Sequence, residues 1–340
     1  MGRIMVYLAE QHDSAGVQFK CVESRGAGAA AWSAWHAARA AYRIAMLRWS
    51  AQAGIVHLNV GEGASVVRKG CLLVFARALR LPVVLHLHAA DIEGFYTRLP
   101  RIMKILVERV FLDASSCIVV GDFHRIWLED QLLVPRDRIA VIPNGVPRIE
   151  FQRLRGRNAG FVLLFLGNLL PRKGLADLLR AVAGLDTHWQ WKLQIAGSGN
   201  AGPARSLAAD LGIAARVAFL GWVDRGGTHD LLQAADALVL PSYHEALPLV
   251  LLEAASQGVP IVATNVGAIA EYFVPGQDAL LVSAGDVLAL SKAIECLLAD
   301  GALRNRLSWN ARQLYEKQFT IKMFAERLGA VYARLCRSSL

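Results

Sequence analysis

No stretch of this sequence approaches eighteen uncharged apolar residues, so no helix is expected to span a bilayer. The opening, Met1-Gly2-Arg3-Ile4-Met5-Val6-Tyr7-Leu8-Ala9-Glu10, has too brief an apolar part to be a secretory leader. The 5 cysteines, at 21, 71, 117, 296 and 336, lack the spacing of a metal site or a disulfide framework. That suits a reducing cytosol and structural thiols, and cytoplasmic placement is the expectation. Asp-x-Asp is missing, so no bound divalent metal is expected. Charged residues make up only 19% against 54% apolar, which excludes a disordered chain. No internal repeat of fixed period and no low-complexity tract interrupts the sequence.

What is present is an alternation of short apolar runs with helical patterns, the mark of a parallel α/β architecture. Strands are expected over 17–22, 55–59, 83–88, 117–120 and 139–142, and again over 161–166, 192–196, 217–220, 237–240, 261–263 and 279–282. Two such series in 340 residues predict two doubly wound, Rossmann-like domains. The join falls at Pro143-Asn144-Gly145-Val146-Pro147, a turn-rich stretch followed by the polar residues 148–158. The domains expected are 1–145, 146–318 and a terminal helical segment 319–340.

The net charge of +9 divides evenly: residues 1–147 hold 17 Lys and Arg against 12 Asp and Glu, and the remainder 20 against 16. Such a field suits an anionic substrate or an anionic lipid surface, or serves solubility alone. Nothing resembling a nucleic-acid motif accompanies it, and no nucleic-acid partner is expected.

The most informative segment runs Pro241-Ser242-Tyr243-His244-Glu245-Ala246-Leu247-Pro248-Leu249-Val250-Leu251-Leu252-Glu253-Ala254. Pro248 fits the first helical position, and Gly258-Val259-Pro260 reads as the stop. A helix opening at the carboxyl end of a strand offers amide groups and positive dipole to a phosphate. Glu245 above that end and Glu253 about one turn inside it suit a ligand with both hydroxyls and a diphosphate, which describes a nucleotide sugar. The bland alternative is a pair of solvated glutamates bracketing an ordinary helix. After the first strand of the second series, Gly167 and the Arg172-Lys173 pair offer what a departing diphosphate needs, a tight turn and positive charge; a surface Arg-Lys pair is the alternative. His86 and His88 share a face of a strand, so alternation does not choose between them; position favours His88.

The 241–254 segment, with its continuation to Thr264, resembles the E-x7-E signature of the family 4 retaining glycosyltransferases. That resemblance covers nearly the whole chain and is most specific over 160–283. It implies a GT-B fold, two Rossmann-like domains facing across a cleft, with the last helix crossing back to the first domain. It also implies retaining transfer of a sugar from a nucleotide sugar, of UDP or GDP type, to a glycan or polyprenyl-linked acceptor, with no cofactor. Exopolysaccharide, lipopolysaccharide or glycolipid synthesis is the setting implied. Carried over residue by residue, Glu245 and His88 contact the transferred sugar and Glu253 the ribose. Lys173 binds phosphate, and Asn168 stands where the family has Arg, with Arg172 in reach to replace the lost charge. Ala246, where Gly is usual, Leu247, Pro248, Leu249 and Val250 present backbone to the donor. Gly197, Gly221 and Val223 are further donor-side candidates, and Gly2, Asp91 and Asn144 are acceptor-side or cleft candidates; a helix cap is the obvious alternative for Asp91. Residues 3–11 read as the family's first helix, so the N-terminal domain is expected to lack its first strand. Residues 97–111, with Arg98, Arg101 and Lys104 on one side and Phe95 and Tyr96 just before, offer a face to an anionic bilayer, which would place the protein peripherally on the inner face of the plasma membrane; an ordinary amphipathic helix packed on its own sheet is the alternative. Two other readings are a non-catalytic GT-B scaffold of a polysaccharide assembly and a nucleotide-sugar epimerase; the paired glutamates argue against the epimerase.

Overall fold

The computed structural model describes residues 2–10, 20–24, 30–49, 54–149 and 160–337. The chain forms two compact units, Met1–Asn144 with Ile321–Leu340, and Gly145–Thr320.

The first unit opens with α1 (Gly2–Ala9) and α2 (Ala30–Arg48). It continues through β1 (Val56–Val60), α3 (Ala64–Ala78), β2 (Val83–Leu87), α4 (Ile92–Thr97) and α5 (Arg101–Leu112), then β3 (Ser116–Val119), α6 (Asp122–Leu132) and β4 (Ile139–Val141). The strands are parallel in the order β1-β2-β3-β4. Every residue of β2 and β3 is buried, as expected where helices cover both faces and an apolar run need not alternate. Ile4, Tyr7 and Leu8 bury one side of α1, so residues 3–11 do begin as a helix. Of the strand expected over 17–22, residues 17–19 lie outside the described residues, and Lys20, Cys21 and Val22 are exposed and form no strand. The helix expected over 97–111 is two helices. Pro100 caps α5 and separates it from α4, because its ring cannot follow a preceding helical turn. Tyr96, expected beside the bilayer, is buried instead, with its hydroxyl donating to Glu108 at 2.6 Å. Of the cysteines, Cys117 is buried in this unit, whereas Cys21, Cys71 and Cys296 are exposed.

The second unit runs β5 (Phe161–Leu166), α7 (Leu175–Ala183), β6 (Trp191–Ala196), α8 (Gly202–Asp210), β7 (Val217–Gly221), α9 (Arg225–Ala234) and β8 (Ala237–Leu240). It ends with α10 (Leu249–Ser256), β9 (Ile261–Thr264), α11 (Ile269–Tyr272), β10 (Leu280–Val282), α12 (Val287–Ala299) and α13 (Gly301–Gln318). All strands are parallel, in the order β10-β9-β8-β5-β6-β7. Winding therefore proceeds outward in one direction through β6 and β7 and then reverses through β8, which makes the β5–β8 pair the switch point of the sheet. In such sheets ligands bind beyond the carboxyl ends of the strands at that point.

The last helix, α14 (Ile321–Arg337), belongs to the first unit. Phe324, Leu328, Val331 and Leu335 recur at helical spacing and are buried. Its Tyr332 hydroxyl lies 2.6 Å from His57 Nδ1 on β1.

Candidate functional site

The loops after β5 and β8 meet at the switch point. Their approach depends on Gly174, at φ +69, where a Cβ would collide with the carbonyl oxygen of Pro241. Tyr243 N donates to Arg172 O at 2.8 Å, and the Arg172 guanidinium donates to His244 O at 3.0 Å. Tyr243 Oη donates to the buried Asp177 of α7 at 2.6 Å, which fastens the second loop to the first helix.

Inside this joint Lys173 Nζ forms an ion pair with Glu245 Oε1, both side chains largely buried. Ser242 Oγ donates to the same carboxylate oxygen at 2.8 Å, and Ser242 O in turn accepts from Thr264 Oγ1. The cation expected to meet phosphate and the carboxylate expected to meet sugar thus stabilise one another. Ion pairs of this kind are costly to break from one side, because the remaining charge stays buried. Arg172 is exposed and spent on the loop backbone. Asn168 is exposed on the loop just after β5.

Behind the pair, α10 points its first turn toward the same loop. Pro248 is not the first helical residue, as the sequence suggests. Its ψ of 129° is extended, so it serves as the N-cap, and its carbonyl accepts from Leu251 N at 3.2 Å. Leu249 and Val250 occupy the positions whose amides a helix leaves without intrahelical partners. Ala246 and Leu247 are buried just before them. Glu253, one turn in, is only 2% exposed. The helix stops as expected: Gly258 is at φ +61, its N–H donates to Ala255 O, and Val259 N donates to Ala254 O. On the other side of the switch point the strand ends form a terrace. Gly167 N donates to Ala196 O at 3.0 Å, and Gly197 N to Gly221 O at 2.7 Å. Gly221 is exposed there, and Val223 is half-buried two residues on.

In the first unit, His88 follows β2 and is half-buried, with Nε2 2.9 Å from Asn59 Oδ1. His86 lies deeper, 1% exposed, its Nδ1 3.3 Å from His57 Nε2. Burial is the main reason these imidazoles stay neutral. It lowers His57 to about 4, with Lys69 adding to the effect, and His88 to about 3 with help from His57 and His124. His124 falls to about 3 through burial alone, and His86 falls well below its ordinary value. Asp91 accepts from Gly94 N at 3.0 Å as the N-cap of α4 and pairs with Arg98 at 2.9 Å, so it does serve the capping role that the sequence offered as its alternative. Gly2 starts α1, and Asn144 is buried at the last position of the first unit before the chain enters the second.

A pH dependence of stability follows from the four histidines. Their folded-state values lie below that of the unfolded chain, near 6.5, so unfolding takes up protons in acid. The stability their neutral burial contributes is complete above about pH 6.5 and is lost as pH falls toward 4 and 3, by up to about 1.4 kcal/mol per pH unit for each group. Thermal unfolding between pH 7.5 and 4.5 is expected to show a midpoint falling steeply below pH 6.5. A flat midpoint across that interval would contradict the burial.

Sequence reasoning did not single out Ser242, Thr264 or Asp177, nor did it foresee the direct Lys173–Glu245 pairing. A hydroxyl three residues before the first glutamate was the one available signal for Ser242. Thr264 and Asp177 reach the site only through the tertiary fold. Among the described residues no group of three His, Cys, Asp or Glu side chains is arranged to hold a metal ion.

Two family models match the chain in succession, Glycosyltransferase Family 4 over residues 2–148 and Glycosyl transferases group 1 over residues 148–314. The lipopolysaccharide core biosynthesis glycosyltransferase LpsE of Rhizobium meliloti is 36% identical over 160 residues, covering 47% of this chain and 46% of that one. The chain spans about half the length of the curated relatives it matches. Among solved structures, sucrose-phosphate synthase from Thermosynechococcus elongatus superposes with a TM-score of 0.76 at 20% identity, over 96% of this chain and 82% of that one. HepE of Anabaena, solved in complex with UDP-glucose, superposes with a TM-score of 0.71 at 20% identity, over 96% and 88%. The architecture is the two-domain, Rossmann-like GT-B fold.

Proposed function

Since the chain is of the GT-B, family 4 glycosyltransferase type, we propose that it moves a sugar from a nucleotide sugar to a glycan or polyprenyl-linked acceptor in polysaccharide or lipopolysaccharide synthesis, with retention of configuration. The observation that carries this reading is the buried Lys173–Glu245 pair set beside the first turn of α10 at the switch point of the second unit. Lys173 and the α10 amides stabilise the diphosphate as it leaves, where charge develops and preorganised donors are worth most. Glu245, held by Ser242, is freed to accept from sugar hydroxyls when Lys173 turns to phosphate. Glu253 accepts from the ribose. Gly197, Gly221 and Val223 present backbone to the nucleotide, and the neutral imidazole of His88 suits contact with uncharged hydroxyls. Retention follows from attack by the acceptor hydroxyl on the face the diphosphate leaves, the departing phosphate oxygen taking the proton. UDP is the favoured nucleotide, supported by the UDP-glucose complex of the Anabaena neighbour.

Calorimetric titration with UDP and with GDP tests the donor site, and product analysis across UDP-sugars tests the transfer. Binding of neither nucleotide would remove the reading. It would favour instead the non-catalytic scaffold, to which Asn168, in place of the family's Arg, lends support. Because a lysine and helix amides carry the leaving-group charge, turnover is expected to be unchanged by EDTA; abolition by EDTA, restored by Mg²⁺ or Mn²⁺, would contradict that assignment. Placement is proposed as cytoplasmic and peripheral at the inner face of the plasma membrane. Among the described residues no helix is long and apolar enough to cross a membrane. The solvent-facing Ile102, Ile105 and Leu106 of α5 support surface contact.

A further inference from the structure

Three neighbouring helices of the first unit turn apolar and cationic side chains outward. On α2 the inward face is Ala40, Ile44 and Leu47, packed in the core. The opposite face carries Trp35, Tyr42 and Met46, with Trp49 just past the helix end, all exposed and Trp49 by 85%. Positions 35, 42, 46 and 49 fall on one stripe at 3.6 residues per turn. Helix α2 packs on α3, and α3 on α5. These extend the surface with Val74 and Phe75, and with Ile102 and Leu106.

The charge on the same three helices is lopsided. They hold Arg39, Arg43 and Arg48, then Arg68, Lys69 and Arg77, then Arg101, Lys104 and Arg109, against Glu108 alone. That is nine cations less one anion, or +8 of the +9 carried by the whole chain. The single acid is engaged by Tyr96, while Arg39, Arg43, Arg48, Arg77, Arg101 and Arg109 are exposed. Apolar patches shared among several helices mark contact surfaces. A second copy of this chain is a poor occupant, because it would set cations against cations. Tryptophan and tyrosine beside arginine, with acids nearly absent, match the headgroup layer of an anionic bilayer, where amphipathic rings sit at the interface and guanidinium groups reach phosphate.

We infer that α2, flanked by α3 and α5, is a monotopic docking surface for an anionic lipid bilayer, with Trp35 and Trp49 entering the interface and the arginines on lipid phosphates. This inference rests on the peripheral placement proposed above and makes α2 the principal contact rather than α5. Flotation of the full chain with vesicles of phosphatidylcholine alone and of phosphatidylcholine with 30% phosphatidylglycerol tests it. Wild type is expected to float with the anionic vesicles only. Trp35→Ser with Trp49→Ser, and separately Arg39→Gln with Arg43→Gln, are expected to lower the apparent affinity at least about tenfold. Trp309→Ser, at an exposed position in the second unit, is expected to change nothing. Circular dichroism melting shows that each variant is folded. Flotation lost with Ile102→Ser and Leu106→Ser but kept by the α2 variants would overturn the inference while leaving peripheral placement intact. Failure of wild type to float with either vesicle would overturn both. Concentration-dependent self-association abolished by the tryptophan variant, without lipid binding, would assign the face to a second copy and overturn the inference.

Discussion

Replacing Lys173 by Ala is expected to lower turnover by about 10²- to 10³-fold, the usual cost of removing one preorganised group that meets developing charge. The same change strands the Glu245 carboxylate, largely buried and already holding the Ser242 hydroxyl. Breaking a buried pair from one side typically costs about 3–5 kcal/mol. The variant should therefore melt well below wild type as well as fail in catalysis. The two effects separate in a second variant. Lys173→Met with Glu245→Gln removes both charges, so it is expected to recover most of the lost stability and none of the activity. If Lys173→Ala keeps turnover within a few-fold of wild type, the lysine does not serve the leaving group. If the double variant regains activity together with stability, the pair is structural.

Gly267→Ala is expected to be nearly as damaging without touching a charged group. Gly267 sits at φ +55, and a Cβ there would run into the carbonyl oxygens of Glu245 and Ala246. Both obstacles are backbone and cannot swing aside as a flexible side chain would. The next residue, Ala268, donates its N–H to Ala246 O at 2.9 Å, so the loop after β9 holds the Glu245 loop in place. The left-handed conformation adds about 1–2 kcal/mol for a residue with a Cβ. Relief requires the 245–246 backbone to shift, and a displacement on the order of an ångström at a reacting centre can cost about 10²-fold in rate. Weaker donor binding by calorimetry and a comparable loss of kcat are the expected results. Wild-type affinity with only a lowered melting point would mean that the loop is a scaffold independent of donor binding.

Much of this arrangement is legible in the sequence. The ten described strands fall within a residue or two of the apolar runs, because a parallel strand covered on both faces leaves an unbroken apolar stretch between turn residues. Helix α10 was readable at both ends, apart from Pro248 standing one place earlier, since proline and glycine declare their backbone angles. Other features were closed to sequence reasoning for physical reasons. The helical pattern over 97–111 continues through Pro100, and only the proline itself hinted at the break. Asp91 could equally serve a ligand or a helix end, and its short side chain took the nearest amide. The pairing of Lys173 with Glu245, 72 positions apart, depends on strands β5 and β8 becoming neighbours, which follows from winding order and not from local pattern. The outward stripe of α2 is not legible in the sequence, because its face is defined only by the packing of Ala40, Ile44 and Leu47 in the core.

Donor binding by a variant carrying both Glu245→Gln and Glu253→Gln tests the central claim most directly. Each change keeps the shape of the side chain and removes its charge, so hydroxyl contacts to the sugar and ribose lose their charge-assisted strength. Glu245→Gln also leaves Lys173 without its partner, so binding is measured on variant shown to be folded by circular dichroism. Calorimetry with UDP-glucose is expected to show affinity lower by at least about tenfold, with turnover abolished. Affinity and turnover equal to wild type would contradict the claim that this pair of acids, set around the first turn of α10, grips the nucleotide sugar.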